Sequence, residues 1–241
     1  MITFYKTIFI IIFSILLINC ITLAQDQTDL IKYEYGSAKI MHSSLYKYYN
    51  FLSLHFCIKD YEKLLSMCQD YDIIAVPRIC TWGNISNIIQ STVVKIIGID
   101  LLKDKNIFPL HELIIKGKYP SSNHKGILIG SELAEYLELQ IDDSIVLLVN
   151  DKYGFIKSME IKITGIFHSP LKVQNRQYVY ISLDRALQLF TMEGMITEIC
   201  LYLPDEIKAH DRLIKLKQEI QMINTSLIII DYKALINKLS E

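Results

Sequence analysis

The chain has 241 residues, with 25 Lys+Arg against 26 Asp+Glu, a net charge of −1 and 51% hydrophobic residues. Charges of both signs are interspersed, so the basic footprint that nucleic-acid binding requires is missing. The length suffices to bury a real core as one large domain or two small ones.

Residues 1–24 form the one segment of membrane character. Lys6 is its sole charge, and Thr7–Ile18 is apolar except for one Ser. That core is long for a signal peptide and short for a span, which needs about 20 residues. Two readings stay open: an uncleaved transmembrane anchor, or a signal peptide cut after Ala24 at a small-x-Ala pattern. Leu17-Ile-Asn-Cys20 resembles a lipoprotein box only faintly, because Asn19 stands where a small residue belongs. No later run approaches about 18 apolar residues. Five cysteines occur, and Cys57, Cys68, Cys80 and Cys200 lie beyond the leader without C-x-x-C spacing, which reads as buried free thiols.

After a polar exit, residues 39–56 are aromatic-rich and read as strand. From Ile58 the apolar positions Tyr61, Leu64, Leu65, Cys68 and Tyr71 recur at helical spacing. Residues 72–79 read as a strand, with Pro77 predicting an edge or bulge, and Trp82-Gly-Asn reads as a turn. The middle third turns β-rich: a run ending in Gly98-Ile-Asp, a Lys-Gly turn at 117, and a second run closing on Gly130. Ser131 sits as an N-cap before a helix over 132–139. An Asp142-Asp143 turn leads to a strand, and Met159, Ile161 and Ile163 alternate inward on another. Ser182 precedes a helix over 183–190, and Ile199, Leu201 and Leu203 alternate on a strand. A long helix runs from Pro204 to about Ile223, Leu227–Ile230 reads as a buried strand, and a terminal helix follows. The fold class is therefore mixed α/β.

The phrases Ala75-Val-Pro-Arg-Ile79, Val94-Lys-Ile-Ile-Gly-Ile-Asp100, Gly117, Gly126–Ala134, Gly165-Ile-Phe167 and 180–190 follow one another in a particular order. In that order the chain resembles the extracytoplasmic domain of bacterial ABC-transporter permeases of the MacB and lipoprotein-releasing (LolC/LolE) type, most closely over 92–203. The resemblance implies a discontinuous porter-like α/β subdomain from 25–91 and 192–241, with an inserted β-rich, sabre-like subdomain over 92–191. It implies an extracytoplasmic, non-enzymatic part of, or accessory to, an exporter of lipoproteins or other hydrophobic cargo. ABC ATPase and multi-span permease subunits would be partners, with a periplasmic carrier or lipoprotein as a further one. The bulk of the chain would lie in the periplasm, held to the bacterial inner membrane by the N-terminal segment, or free after cleavage at Ala24. A free periplasmic binding or adaptor protein and a truncated permease fragment are the alternatives. The resembling permeases carry further membrane helices and, in the subunit that docks a chaperone, a long Pro-containing hook. The corresponding connection here, Asn150–Ser158, is short, so hook docking does not carry over.

Conventional chemistry is missing from the sequence. No P-loop occurs, the six histidines lack ligand spacing, and Ser131 lies outside a nucleophile elbow. The expectation is no catalytic, cofactor or metal site. One candidate remains: Tyr153 and Phe155, flanking Gly154 in the short connection, as partner-contact residues. The competing expectation is that these aromatics fold back on the sheet.

Overall fold

The computed structural model describes residues 28–87, 89–121, 126–203 and 206–239. The leader, His124 and the expected helix start at Pro204-Asp205 lie outside them. The strands are β1 (Ala38–His42), β2 (Ile58–Lys59), β3 (Ile74–Ser86), β4 (Ser91–Ile99), β5 (Ile114–Gly117) and β6 (Ile127–Gly130). They continue with β7 (Ser144–Asn150), β8 (Ile156–Phe167), β9 (Tyr178–Ser182), β10 (Met195–Ile196), β11 (Glu198–Tyr202) and β12 (Leu227–Asp231). Ten of them make one mixed sheet in the order β12-β1-β11-β3-β4-β9-β6-β8-β5, with β7 bridging β3 and β8, while β2 and β10 pair separately. The pairs β4–β9 and β6–β8 are parallel and the rest antiparallel. The expected mixed α/β class is what the structure has.

Helices α1 (Ser43–Lys47), α2 (Tyr61–Asp70), α3 (Ser131–Tyr136), α4 (Lys172–Gln177), α5 (Leu183–Leu189), α6 (Glu206–Ile223) and α7 (Tyr232–Leu239) cover the sheet. Strand side chains alternate between two faces, and the two faces differ in chemistry. One carries Ile40, Ile79, Ile96, Val179, Ile181, Ile199 and Leu201, packed with Leu64 and Cys68 of α2, Ala186 and Leu189 of α5, and Leu216 and Ile220 of α6. Each such buried aliphatic contributes roughly 1.5–3 kcal/mol. The other face carries Met41, Cys80, Ile97, Ile99, Tyr178 and Tyr180, covered by Tyr35, Leu45, Tyr49 and, from α7, Leu235. Among the described residues, no helix is long and apolar enough to cross a membrane.

Several expectations change here. The aromatic run 39–56 is strand only through His42; α1 and a 3-10 turn at Tyr49–Phe51 follow. Asp60, in the left-handed region at φ 50°, separates β2 from α2, so the helix starts at Tyr61 and Ile58 lies on a strand. Trp82-Gly83 is not a turn but the middle of β3. Gly83 is needed there because β4 and β7 both pack close to it: a β-carbon would lie 2.7 Å from both the Ile96 and Val149 side chains. Pro77 does lie at an edge, since the β4 ladder begins only at Arg78 and leaves the β4 side of Ile74–Pro77 without a strand partner. Ser131 does not cap its helix; Gly130 occupies the N-cap, and the Ser131 hydroxyl lies 2.9 Å from His168 Nδ1. The Asp142-Asp143 turn is present, with Asp142 in the left-handed region at φ 71°.

Candidate functional site

The β7–β8 hairpin projects the two aromatic candidates. Its connection is tighter than expected, since β7 ends at Asn150 and β8 starts at Ile156. Lys152 donates its amide to the Phe190 carbonyl at 3.0 Å, tying the turn to the end of α5. Asp151 organises the rest. Its Oδ1 accepts from the amides of Tyr153 and Phe155, both at 2.9 Å, and its Oδ2 from the Thr191 hydroxyl at 3.0 Å. The Asp151 amide donates to the Phe155 carbonyl at 2.8 Å, and Gly154 turns the chain at φ 85°. Burial pushes the Asp151 carboxyl upward, but the Phe155 amide, the Thr191 hydroxyl and the Tyr153 amide outweigh it and hold it below its ordinary value. Tyr153 is 62% exposed and Phe155 67%, so neither aromatic folds back on the sheet.

Across a groove from this turn stands the segment Phe51–His55. The groove runs between Phe51 and Tyr153, with Trp82 of β3 and Thr81 between them. Phe51 is 73% exposed, and the Trp82 indole donates to the Asn50 carbonyl at 2.9 Å, fixing that wall to the sheet.

Beneath the covered part of the same sheet face lies a buried ionic layer that the sequence reading missed. Lys39 of β1 donates to Glu198 of β11 at 2.6 Å and to the Tyr49 hydroxyl at 3.2 Å. Arg78 of β3 grips Asp104 with two bonds of 2.8 Å, and its guanidinium stacks 3.6 Å from the Phe108 ring centroid. Lys95 of β4 donates to Glu34 at 2.8 Å; the Tyr178 hydroxyl (2.6 Å) and the Gln174 amide (2.8 Å) donate to the same carboxylate. Burial alone would push Glu34 up, yet the charges of Lys95 and Lys39 together with these bonds bring it down to about 2. Glu198 is likewise held below its ordinary value by Lys39 against the effect of burial. Burial lowers Lys39 and Lys95, but their carboxylate partners more than compensate and keep both well above the usual lysine range. Cys80 donates to Glu198 at 3.4 Å, and burial raises its thiol well above the ordinary value, which makes it unreactive. These pairs are fully satisfied and closed to solvent, so they serve architecture rather than chemistry.

The remaining sequence candidates are dispersed. Asp143 accepts from the Gln140 amide at 2.7 Å, a local bond within the Asp142-Asp143 turn. His42 stacks on Phe56, His111 meets the edge of Tyr119, and His168 faces Ser131. Among the described residues, no group of three or more His, Cys, Asp and Glu converges as metal ligands would. Cys68, Cys80 and Cys200 are buried free thiols, and Cys57 is half-buried beside Met195.

No protein-family profile and no curated protein matches the chain. Solved structures do. The periplasmic region of MacB from Actinobacillus actinomycetemcomitans superposes with a TM-score of 0.59 at 9% identity, covering 88% of this chain and 96% of that one. The extracellular domain of the noncanonic ABC-type transporter YknZ from Gram-positive bacteria gives 0.59 at 8% identity, covering 81% and 100%. At such identities the likeness is one of fold, and the chain has the mixed α/β fold of these two extracytoplasmic transporter domains.

Proposed function

We propose that this chain is an extracytoplasmic, permease-type module, non-enzymatic in itself, working within or beside an ABC transporter that exports lipoproteins or other hydrophobic cargo. One observation carries the reading: the likeness takes in 96% of the MacB periplasmic region and 88% of this chain, so the shared fold extends over nearly the whole of that region. ATP hydrolysis and the membrane pathway would come from an ABC ATPase and multi-span permease subunits. In this reading residues 1–24 hold the chain to the bacterial inner membrane, with the bulk in the periplasm. A porter-like part from 25–91 and 192–241 and a sabre-like part over 92–191 divide the work. In support of that division, β12, β1, β11 and β3 come from the first part and lie in a row, followed by β4, β9, β6, β8 and β5 from the second. Tyr153 and Phe155 face a partner at the exposed turn of the second part, a placement that suits large rigid side chains at an interface centre.

Location tests the reading. Alkaline phosphatase fused after Glu241 should be active in cells and sediment with the inner membrane. A fusion that is inactive while a fluorescent-protein fusion at the same position glows would place the chain in the cytoplasm and end the proposal. Mature protein beginning at Gln25 in the soluble periplasmic fraction would refute the anchor alone.

A further inference from the structure

The groove between the hairpin turn and the Phe51–His55 segment has features that define a class of occupant. We propose that it docks an extended, acidic segment of a partner polypeptide, with apolar side chains seated between Phe51, Trp82 and Tyr153 and carboxylates turned to the surrounding lysines. This rests on reading the hairpin turn as partner-facing and adds a second wall and a charge preference to it.

Three observations carry the proposal. First, large apolar groups stand exposed on both walls, Phe51 at 73% and Tyr153 at 62%, with Trp82 at 36% between them. An isolated exposed aromatic needs no explanation, but three lining one groove do.

Second, both walls are held in place before anything binds. Trp82 fixes Asn50 from one side, and the Asp151 carboxylate fixes the backbone of Tyr153 and Phe155 from the other. Walls already ordered lose little entropy on docking, which raises affinity for a given contact area.

Third, the electrostatics have one sign. Asp151, the carboxylate lining the groove, is buried and saturated by three donors; Lys152, half-buried, turns its ammonium to the Met195 sulfur, and the exposed Lys157 acts on Asp151 from β8. Lys47 and Phe51 line the adjoining depression, which extends the cationic rim. An anion approaching this end meets the exposed Lys47 and Lys157 beside the groove and no free carboxylate among the lining residues. A flat lipid surface would reach the rims at Phe51 and Tyr153 but leave the Trp82 floor unused. A strand with alternating side chains fills both.

Trp82 is the chain's one tryptophan, so its emission reports the groove directly. The test uses the full chain in neutral phosphatidylcholine nanodiscs. It is titrated with an eight-residue peptide alternating Asp/Glu with Leu/Phe, with the Lys counterpart of that peptide, and with phosphatidylglycerol vesicles. The expected result is a saturable change in Trp82 emission with the acidic peptide, at least tenfold weaker with the basic one and weakened by salt. Phe51→Ser and, independently, Lys47→Glu should each weaken binding severalfold or more with an unchanged melting temperature. Lys47→Glu keeps the test decisive should the Phe51 variant fold poorly. No saturable change, equal binding of both peptides, unaffected variants, or a response to vesicles in place of peptide would each overturn the groove proposal. If Tyr153 and Phe155 still govern partner capture while no peptide binds, the groove is refuted and the partner-facing turn stands.

Discussion

Glu34 and Lys95 stand 2.8 Å apart with both side chains buried, joining the segment ahead of β1 to the centre of the sheet. The carboxylate takes donors from three separate elements, β4, β9 and α4, so one side chain closes the sheet face beneath it. Leaving either charge alone there strands it in a medium that solvates it poorly. Lys95→Met should therefore cost about 3–5 kcal/mol. Adding Glu34→Leu should recover part of that loss, and a double-mutant cycle by urea unfolding measures the coupling. Additive losses would mean that the pair is not a unit.

The same pair sets the acid limit of stability. Glu34 lies near 2 in the folded state against an ordinary 4.5. A folded value below the unfolded one adds stability that is fully present above about pH 5 and is lost as the pH falls toward 2. The contribution is roughly 3 kcal/mol, and Glu198 shifts in the same direction. Unfolding free energy measured from pH 6 to pH 3 should fall steeply in the wild type and less steeply in Glu34→Gln. Parallel slopes would contradict the assignment.

Asp104 holds Arg78 through two bonds under the Phe108 ring. Asp104→Ala leaves a fully charged guanidinium buried without its partner and should destabilise by about 3–5 kcal/mol, seen as a lower melting temperature. Exposed pairs such as Lys103–Asp100 should cost less than about 1 kcal/mol when broken.

Gly98 is fixed by close approach rather than by φ: a β-carbon there would overlap that of Ala186 on α5. Gly98→Ala should cost about 1–3 kcal/mol through overpacking, and Ala186→Gly in the same chain should return part of it. A neutral Gly98→Ala would show that α5 sits farther from β4 than described.

The proposed partner-facing role of Tyr153 and Phe155 is testable apart from stability. Changing both to Ser should leave the melting temperature nearly unchanged, because both are exposed, while weakening capture of the transporter partner by about 2 kcal/mol or more. A lowered melting temperature with capture intact would make the turn purely structural.

Much of this architecture is legible in the sequence wherever one period dominates. Ile161 and Ile163 alternate inward on β8, Tyr61, Leu64 and Cys68 follow the helical period on α2, and Pro77 marks the place where the β4 ladder stops. The ionic layer is not legible, because it is built from distant partners. Lys39 meets Glu198 across 159 residues, and a lysine within a strand reads as solvent-facing until the covering segment is known. Glu34, just past the polar exit, carries no signal of its own for the same reason. Gly83 reads as a turn because its use, making room for the Val149 side chain of β7 beside β3, depends on a strand more than 60 positions later. Of the candidate site, the hairpin aromatics are visible from local composition. The opposing wall at Phe51 is not, since the run containing it reads as strand and lies about 100 positions away.

The central claim is that the chain serves an ABC transporter from outside the cytoplasm. The direct measurement is affinity isolation of the full chain from detergent-solubilised membranes after cross-linking in cells, with mass spectrometry of its partners and an ATPase assay on the isolate. The account predicts an ABC ATPase and a multi-span permease in stoichiometric amounts, with ATP hydrolysis that is lost when the ATPase subunit's nucleotide site is inactivated. Isolation of the chain alone, or with partners lacking an ABC ATPase, would contradict it.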